Sequence, residues 1–336
     1  MLTGCSEGKN QHEANDDVNE QESLIVGDVE LPDNVFSIIT FIDNDVVYMA
    51  DDSENEISIH KFNLASKENS IIGKINDYLM NPANNAVDGK TVYMNYMTLE
   101  AERKMVAIDL ESLKQEVVVS ERDISGLVYC TSMNGNIYSL MHTNDGKSLI
   151  KKYIPNSNKE TIFIEYEENQ VINAIATEGN SLYVLLNSGN KLVIQQIDEE
   201  GNTVEEHDVT YVLDQIDSQI GQFYVIRDSF YIRTFSDTSI SYKFDGTRLD
   251  VLFDSSITLD STVKQNKYSF FFRYTNNPIL IVDSTTGTIE EFKVNMSDDN
   301  VIRYIYADCN NDRLLVSVID ENGENEKNFV WCYEEE

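Results

Sequence analysis

Histidine, cysteine and basic side chains are scarce in this 336-residue chain, and each shortage removes a class of function. Its four histidines, His12, His60, His142 and His207, never fall within four residues of one another, so a helical HExxH zinc site is excluded. The four cysteines, Cys5, Cys130, Cys309 and Cys332, contain no CxxC spacing, which argues against a zinc knuckle or a thioredoxin-like pair. Lysine and arginine number 25 against 59 acidic residues, a formal charge of -34. Such a field repels phosphate backbones, so nucleic acid is not an expected partner. No run approaches the roughly 20 apolar residues that a helix needs to span a bilayer. A G-x-S-x-G nucleophile elbow is missing. Gly89-Lys90-Thr91 and Gly146-Lys147-Ser148 imitate the tail of a phosphate-binding loop, but Asn84 and Met141 stand where its first glycine belongs, and both segments read as hairpin turns. The stretch from Asp320 to Glu324 lacks the twelve-residue spacing of a calcium loop and reads as a solvated hairpin. Carboxylate pairs such as Asp51-Asp52 or Asp298-Asp299 are too common at this composition to mark an acid and a base. No catalytic residue, metal or cofactor is expected.

What is there begins at the amino terminus. Leu2-Thr3-Gly4-Cys5 resembles the lipobox of bacterial lipoproteins, in which peptidase cuts before a cysteine whose thiol carries a diacylglyceryl group. The resemblance implies lipidation at Cys5, residues 1–5 as the remnant of a signal peptide, and an extracytoplasmic place in the cell envelope. Neither a charged n-region nor an apolar h-region precedes it. From Ser6 to Glu22 the chain is acidic, with Lys9 its only formal cation and Val18 its one core-forming residue, so 6–22 is expected to be a disordered tether. Such a coil reaches on the order of 20 Å. The membrane, through the lipid on Cys5, is then a partner, and the folded part is expected to be a monomer.

The rest is written in short runs of Val, Ile, Tyr, Phe and Thr punctuated by Asn, Asp and Gly, the pattern of strands and hairpins. Val47-Tyr48, Val92-Tyr93, Ile137-Tyr138 and Leu182-Tyr183 recur at 45-residue intervals. The series continues less regularly through Phe230-Tyr231, Phe270-Phe271 and Leu314-Leu315. Each follows a turn signal, from Asp43-Asn44 to Asn310-Asn311. A second periodic feature, a strand, a polar turn and a strand, lies in segments such as VAIDLESLKQEVVV and ILIVDSTTGTIEEFKV. Four strands per unit match the blade of a β-propeller. In the second blade they are expected at 84–87, 91–96, 104–109 and 116–120. The fold class is therefore all-β, a seven-bladed β-propeller of four-stranded antiparallel blades over residues 23–336, six or eight blades being the neighbouring counts. FVWCYEEE ends the chain as a third strand, and SLIVGDVEL, residues 23–31, is expected to add the missing fourth strand and close the ring. That closure puts a strand between Cys309 and Cys332 and disfavours a disulfide.

The repeats resemble those of lipid-anchored bacterial propellers of the quinoprotein or YVTN type. The Trp-Asp dipeptide of WD-type blades is absent, the single tryptophan, Trp331, being followed by Cys332, and no sialidase Asp-box recurs. The likeness is to a fold and implies no ligand. In propellers the face carrying the inter-blade loops and the loops between second and third strands is the usual binding face. The expected ligand-binding residues there are Asn85, Arg122, Asn169, Gln219 and Arg303, with Tyr96, Phe235 and Tyr274 in the hairpins. Aromatic rings with amides suit a sugar or a peptide. The expected function is a non-catalytic envelope lipoprotein that binds or scaffolds protein or glycan. The alternative is an extracytoplasmic enzyme acting on carbohydrate or lactone through a cluster of carboxylates in the axial funnel.

Overall fold

A computed structural model describes residues 25–29, 31–32, 35, 37–53, 56–76, 78–122, 124–216, 218–234, 236, 239–249, 259–265, 268–273, 279–283, 286, 288–292, 300–307, 313–320 and 327–332. The strands form seven separate antiparallel sheets. The first blade comprises Ser37–Ile42, Asp45–Ser53, Glu56–Asn63 and Asn69–Asn76. The second comprises Tyr78–Asp88, Thr91–Thr98, Arg103–Asp109 and Lys114–Glu121. Ile124–Met133, Asn136–Thr143, Ser148–Ile154 and Lys159–Tyr166 make the third, and Gln170–Glu178, Ser181–Ser188, Lys191–Ile197 and Thr203–Asp208 the fourth. The fifth shows three described strands, Ile220–Ile226, Ser229–Thr234 and Ser239–Lys243. The sixth holds Leu259–Gln265, Tyr268–Arg273, Ile279–Asp283 and Ile289–Phe292.

The seventh sheet closes the ring. Its first three strands are Asn300–Ala307, Arg313–Asp320 and Lys327–Cys332, and its outermost strand is Ile25–Val29 from the other end of the chain. This is the closure expected of residues 23–31, with Ile25 opposite Trp331 and Val29 opposite Asn328. A cluster of Phe41, Val46, Tyr48 and Phe62 with Leu315 and Val330 packs the first blade against the seventh.

Burial follows strand position. In the second blade all but the first residue of Thr91–Thr98 are buried, whereas no residue of Lys114–Glu121 is buried. A strand covered on both faces by neighbouring blades needs no polar alternation, which explains the Val-Tyr doublets. The recurring tyrosines Tyr48, Tyr93, Tyr138, Tyr183 and Tyr231 are all buried. Burial pushes the Tyr93 hydroxyl up to about 12, so it stays protonated at every physiological pH.

Two rings of β-bulges repeat around the molecule. Every inner strand carries one, between Ile38 and Thr40, Met80 and Asn84, Leu127 and Tyr129, Ile172 and Ala174, Ile220 and Gln222, Leu259 and Ser261, and Ile302 and Tyr304. The outer strands of the first four blades carry another, at Ile72, Val118, Phe163 and Val204. Ile25–Val29 has the same irregularity at Gly27. The closing strand thus reproduces the shape of a fourth strand, and a bulged edge is a poor template for pairing with another chain.

Second-blade strand ends correct the sequence-based register. The inner strand starts at Tyr78, six residues before the expected Asn84, because the bulge around Pro82 breaks the alternation and makes strand residues read as loop. Cys130 is a free thiol, while Cys309 and Glu321 to Glu324 lie outside the described residues.

Candidate functional site

The hairpins define two faces. The chain passes from blade to blade on one, the entry face, and the turns joining first to second and third to fourth strands lie on the other. Arg122, Asn169 and Gln219 are exposed in successive inter-blade passages, so each lies on the entry face. Arg122 lies 3.5 Å from Glu100 across that face. Asn85 is not in such a passage. It sits within the inner strand opposite Met94, toward the far face. Tyr96 is not in a hairpin either, because its second strand runs on to Thr98; the ring is buried in the apolar cluster between the first two blades. Arg303 is the extra residue of the seventh inner-strand bulge. Phe235, Tyr274 and Cys5 lie outside the described residues.

Toward the axis, Tyr129 reaches from the third blade past the fourth and donates its hydroxyl to the carbonyl of Gly221 in the fifth, at 2.8 Å. Gly221 is the bulged residue of its strand, so the irregular backbone turns a carbonyl toward a donor two blades away. Burial raises the Tyr129 hydroxyl well above its usual range and keeps it a donor.

A concavity lined by described residues lies on the far face, between the fourth and fifth blades. It encloses about 400 Å³ and is lined by Tyr183, Gln196, Glu205 and His207 of the fourth blade and by Arg227, Asp228, Lys243, Phe244 and Asp245 of the fifth. The volume falls within the range of small-ligand pockets. Its floor is a stack of rings. Phe244 lies flat against His207 at 4.0 Å and 8°, with Phe230 5.5 Å and Tyr183 6.4 Å away. The hairpin from Ile226 to Ser229 places Arg227, and the turn after Lys243 places Phe244, whose amide donates to the Asp228 carbonyl at 2.8 Å.

The rim carries charge. Lys243 Nζ is 3.6 Å from Asp228 Oδ2, and His207 Nε2 is 3.7 Å from Glu205 Oε1. Asp245 accepts the Thr247 hydroxyl and amide, bonds that hold its carboxyl below the usual range and keep it ionised. The Tyr183 hydroxyl is raised by burial and by Glu205. Among the described residues the exposed Arg227 guanidinium has neither hydrogen bond nor ion pair. Its backbone is left-handed, φ 53°. In the first hairpins of the first four blades that conformation falls to Asp43, Gly89, Asn134 and Gly179, residues that accept it readily. Sequence reasoning read Arg227-Asp228 as a turn and missed the cleft. Only the oddity of arginine in that hairpin set signalled it, and nothing marked His207 or Phe244 as partners across a seam.

Among the described residues no three His, Cys, Asp or Glu side chains converge as a metal site, and no helix is long and apolar enough to cross a membrane.

No family model and no curated protein matches the sequence. Solved structures do resemble the chain. The β-propeller domain of the Trilobed protease from Pyrococcus furiosus aligns with a TM-score of 0.56 at 13% identity, covering 91% of this chain and 96% of that one. YCF48, solved bound to D1 peptide, aligns at 0.53 and 10% identity over 92% and 97%. Pyrococcus horikoshii acylaminoacyl peptidase aligns at 0.53 and 15% identity over 84% of this chain and 49% of its own. The chain spans about half the length of that peptidase, and 46% of a prolyl endopeptidase it also matches. At these identities the likeness is one of fold, and with the seven sheets it shows that the chain is a β-propeller.

Proposed function

We propose that this chain is a non-catalytic, lipid-anchored envelope protein whose propeller binds protein, held outside a bacterial membrane by the lipid on Cys5. The observation that carries the binding reading is the cleft between the fourth and fifth blades, with an aromatic floor and an unengaged Arg227 at its rim. Propellers that bind peptide, such as YCF48 with D1 peptide, lend it support at the level of fold. The anchor reading rests on Leu2 to Cys5.

The test is a paired peptide and glycan array probed with the full chain carrying Cys5→Ser. Ligands retained by this protein and lost with Arg227→Gly support binding at the cleft, whereas arrays that respond identically with and without Arg227 overturn it. Incorporation of a palmitate analogue by the protein expressed in bacteria behind a lipoprotein leader, abolished by Cys5→Ser, tests the anchor.

A further inference from the structure

We propose that the cleft between the fourth and fifth blades takes a zwitterionic peptide segment, its carboxylate held by Arg227 and its cationic side chain by Glu205 and Asp245. The inference rests on the binding reading above and adds the ligand's chemistry.

Three observations lead to it. First, a guanidinium with no partner among the described residues stands at the rim of a cleft in a protein with 59 acidic residues. Arginine presents its donors in a planar fork that fits a carboxylate. Second, Lys243 is engaged by Asp228, so Arg227 is the cation left for a ligand, while Glu205 and Asp245 offer two carboxylates on the same rim. Third, the -34 field of the whole chain opposes any ligand of net negative charge. An anionic group must therefore arrive with a cation, which a peptide bearing both signs supplies. A neutral glycan would leave Arg227 unpaired, and an acidic one would meet the field alone. The part-exposed ring of Phe244, backed by the buried Tyr183, gives the intervening backbone an apolar surface to lie on.

Cost points the same way. Arginine in the left-handed region is strained where the sibling blades use Asp, Gly or Asn, and strain of this kind collects at sites that use it.

The experiment is titration calorimetry of the full chain with Cys5→Ser, using capped peptides in which glutamate and lysine are separated by one to four glycines. Counterparts carry Gln for Glu or Gln for Lys. The expected result is one spacing that binds, a tenfold or greater loss for each neutral counterpart, loss of the Glu preference in Arg227→Gly, and loss of the Lys preference in Glu205→Gln. Arg227→Gly relieves a left-handed arginine, so its unfolding midpoint is not expected to fall, which separates lost binding from lost folding. Equal binding of all counterparts, or none at any spacing, overturns the peptide assignment. Array ligands that are glycans and depend on Arg227 would overturn it while the binding reading stands. If no ligand of any kind depends on Arg227, both fall.

Discussion

Blades two and three are joined by ions, blades four and five by rings. Between the second and third, Arg103 is fully buried and donates from Nη1 to both carboxylate oxygens of Glu160 at 2.9 Å, and from Nε and Nη2 to Asn95 Oδ1 at 3.1 and 2.9 Å. Its Nη2 also reaches Ser139 at 3.2 Å. Lys151 pairs with Glu121 and lies 3.7 Å from Glu160, so two cations and two carboxylates balance. Between the fourth and fifth, Leu185, Ile194, Phe223 and Phe230 form an apolar cluster that Phe244 packs against, and the seam opens into the cleft at one end. The difference starts from one register position. Two residues after the repeat tyrosine stands Asn95 in the second blade and Leu185 in the fourth, both fully buried. The repeat fixes the blade's shape and leaves this position free. An amide there demands hydrogen-bonding partners from across the seam, and a leucine demands carbon.

The largest effect is expected where the ions are. Arg103→Ala leaves Glu160 buried with only Lys151 near it, and the cost is about 3 to 5 kcal/mol in urea unfolding. The double variant Arg103→Met with Glu160→Leu removes the buried charge on both sides and should recover most of that loss. If the single variant costs under 1 kcal/mol, the network is not holding the seam. Cys130 reports on the same place, because Asn95 Nδ2 lies 3.1 Å from its sulfur and burial pushes its thiol up to about 11. A protonated thiol reacts slowly. Labelling of the Cys130 peptide should be slow in the native protein and quicken in Arg103→Ala.

Leu185→Ala probes the carbon seam. A fully buried leucine cut to alanine costs about 3 kcal/mol through lost transfer energy and a cavity. Unlike Arg103→Ala, it should leave Cys130 labelling unchanged, since its damage is confined to a different seam. A smaller loss follows from Tyr129→Phe, which strips the donor from the Gly221 carbonyl between the two seams. The expected cost is about 1 to 2 kcal/mol. Tyr138→Phe is the control, because that buried hydroxyl has no partner among the described residues and its removal should cost nothing.

What was legible in the sequence is what repetition enforces. The tyrosine period marked the second strands, and the unexplained run at residues 23–31 with a blade one strand short marked the closure. Both are backbone pairings, which local pattern specifies well. The ends of the second blade's strands were misjudged for a local reason: a bulge near Pro82 and two extra strand residues set them at Tyr78 and Thr98 rather than at 84 and 96. The seams were not legible. Arg103 and Glu160 lie 57 residues apart, and His207 and Phe244 belong to different blades, so nothing in either neighbourhood announces the other. Arg122, Asn169 and Gln219 lie in inter-blade passages, whose positions follow directly from the blade repeat.

The smallest expected effect has the opposite sign. Arg227→Gly exchanges a left-handed arginine for the one residue with no penalty there, a gain of up to about 1 kcal/mol, offset in part by the greater freedom of glycine in the unfolded chain. Because the guanidinium has no partner among the described residues, no described interaction is lost to hide the gain. The same change at Gly89 run backwards, Gly89→Arg at φ 56°, should destabilise by a similar amount, since the second blade's hairpin has open space around that position but the same backbone demand. Matched unfolding curves for the two variants decide the matter. Equal and opposite shifts mean that Arg227 is held at a cost in stability, as a residue kept for contact with something outside the fold would be. A loss of stability in Arg227→Gly would instead make the arginine part of the seam itself, and the ion-joined and ring-joined seams would differ less than their contacts suggest.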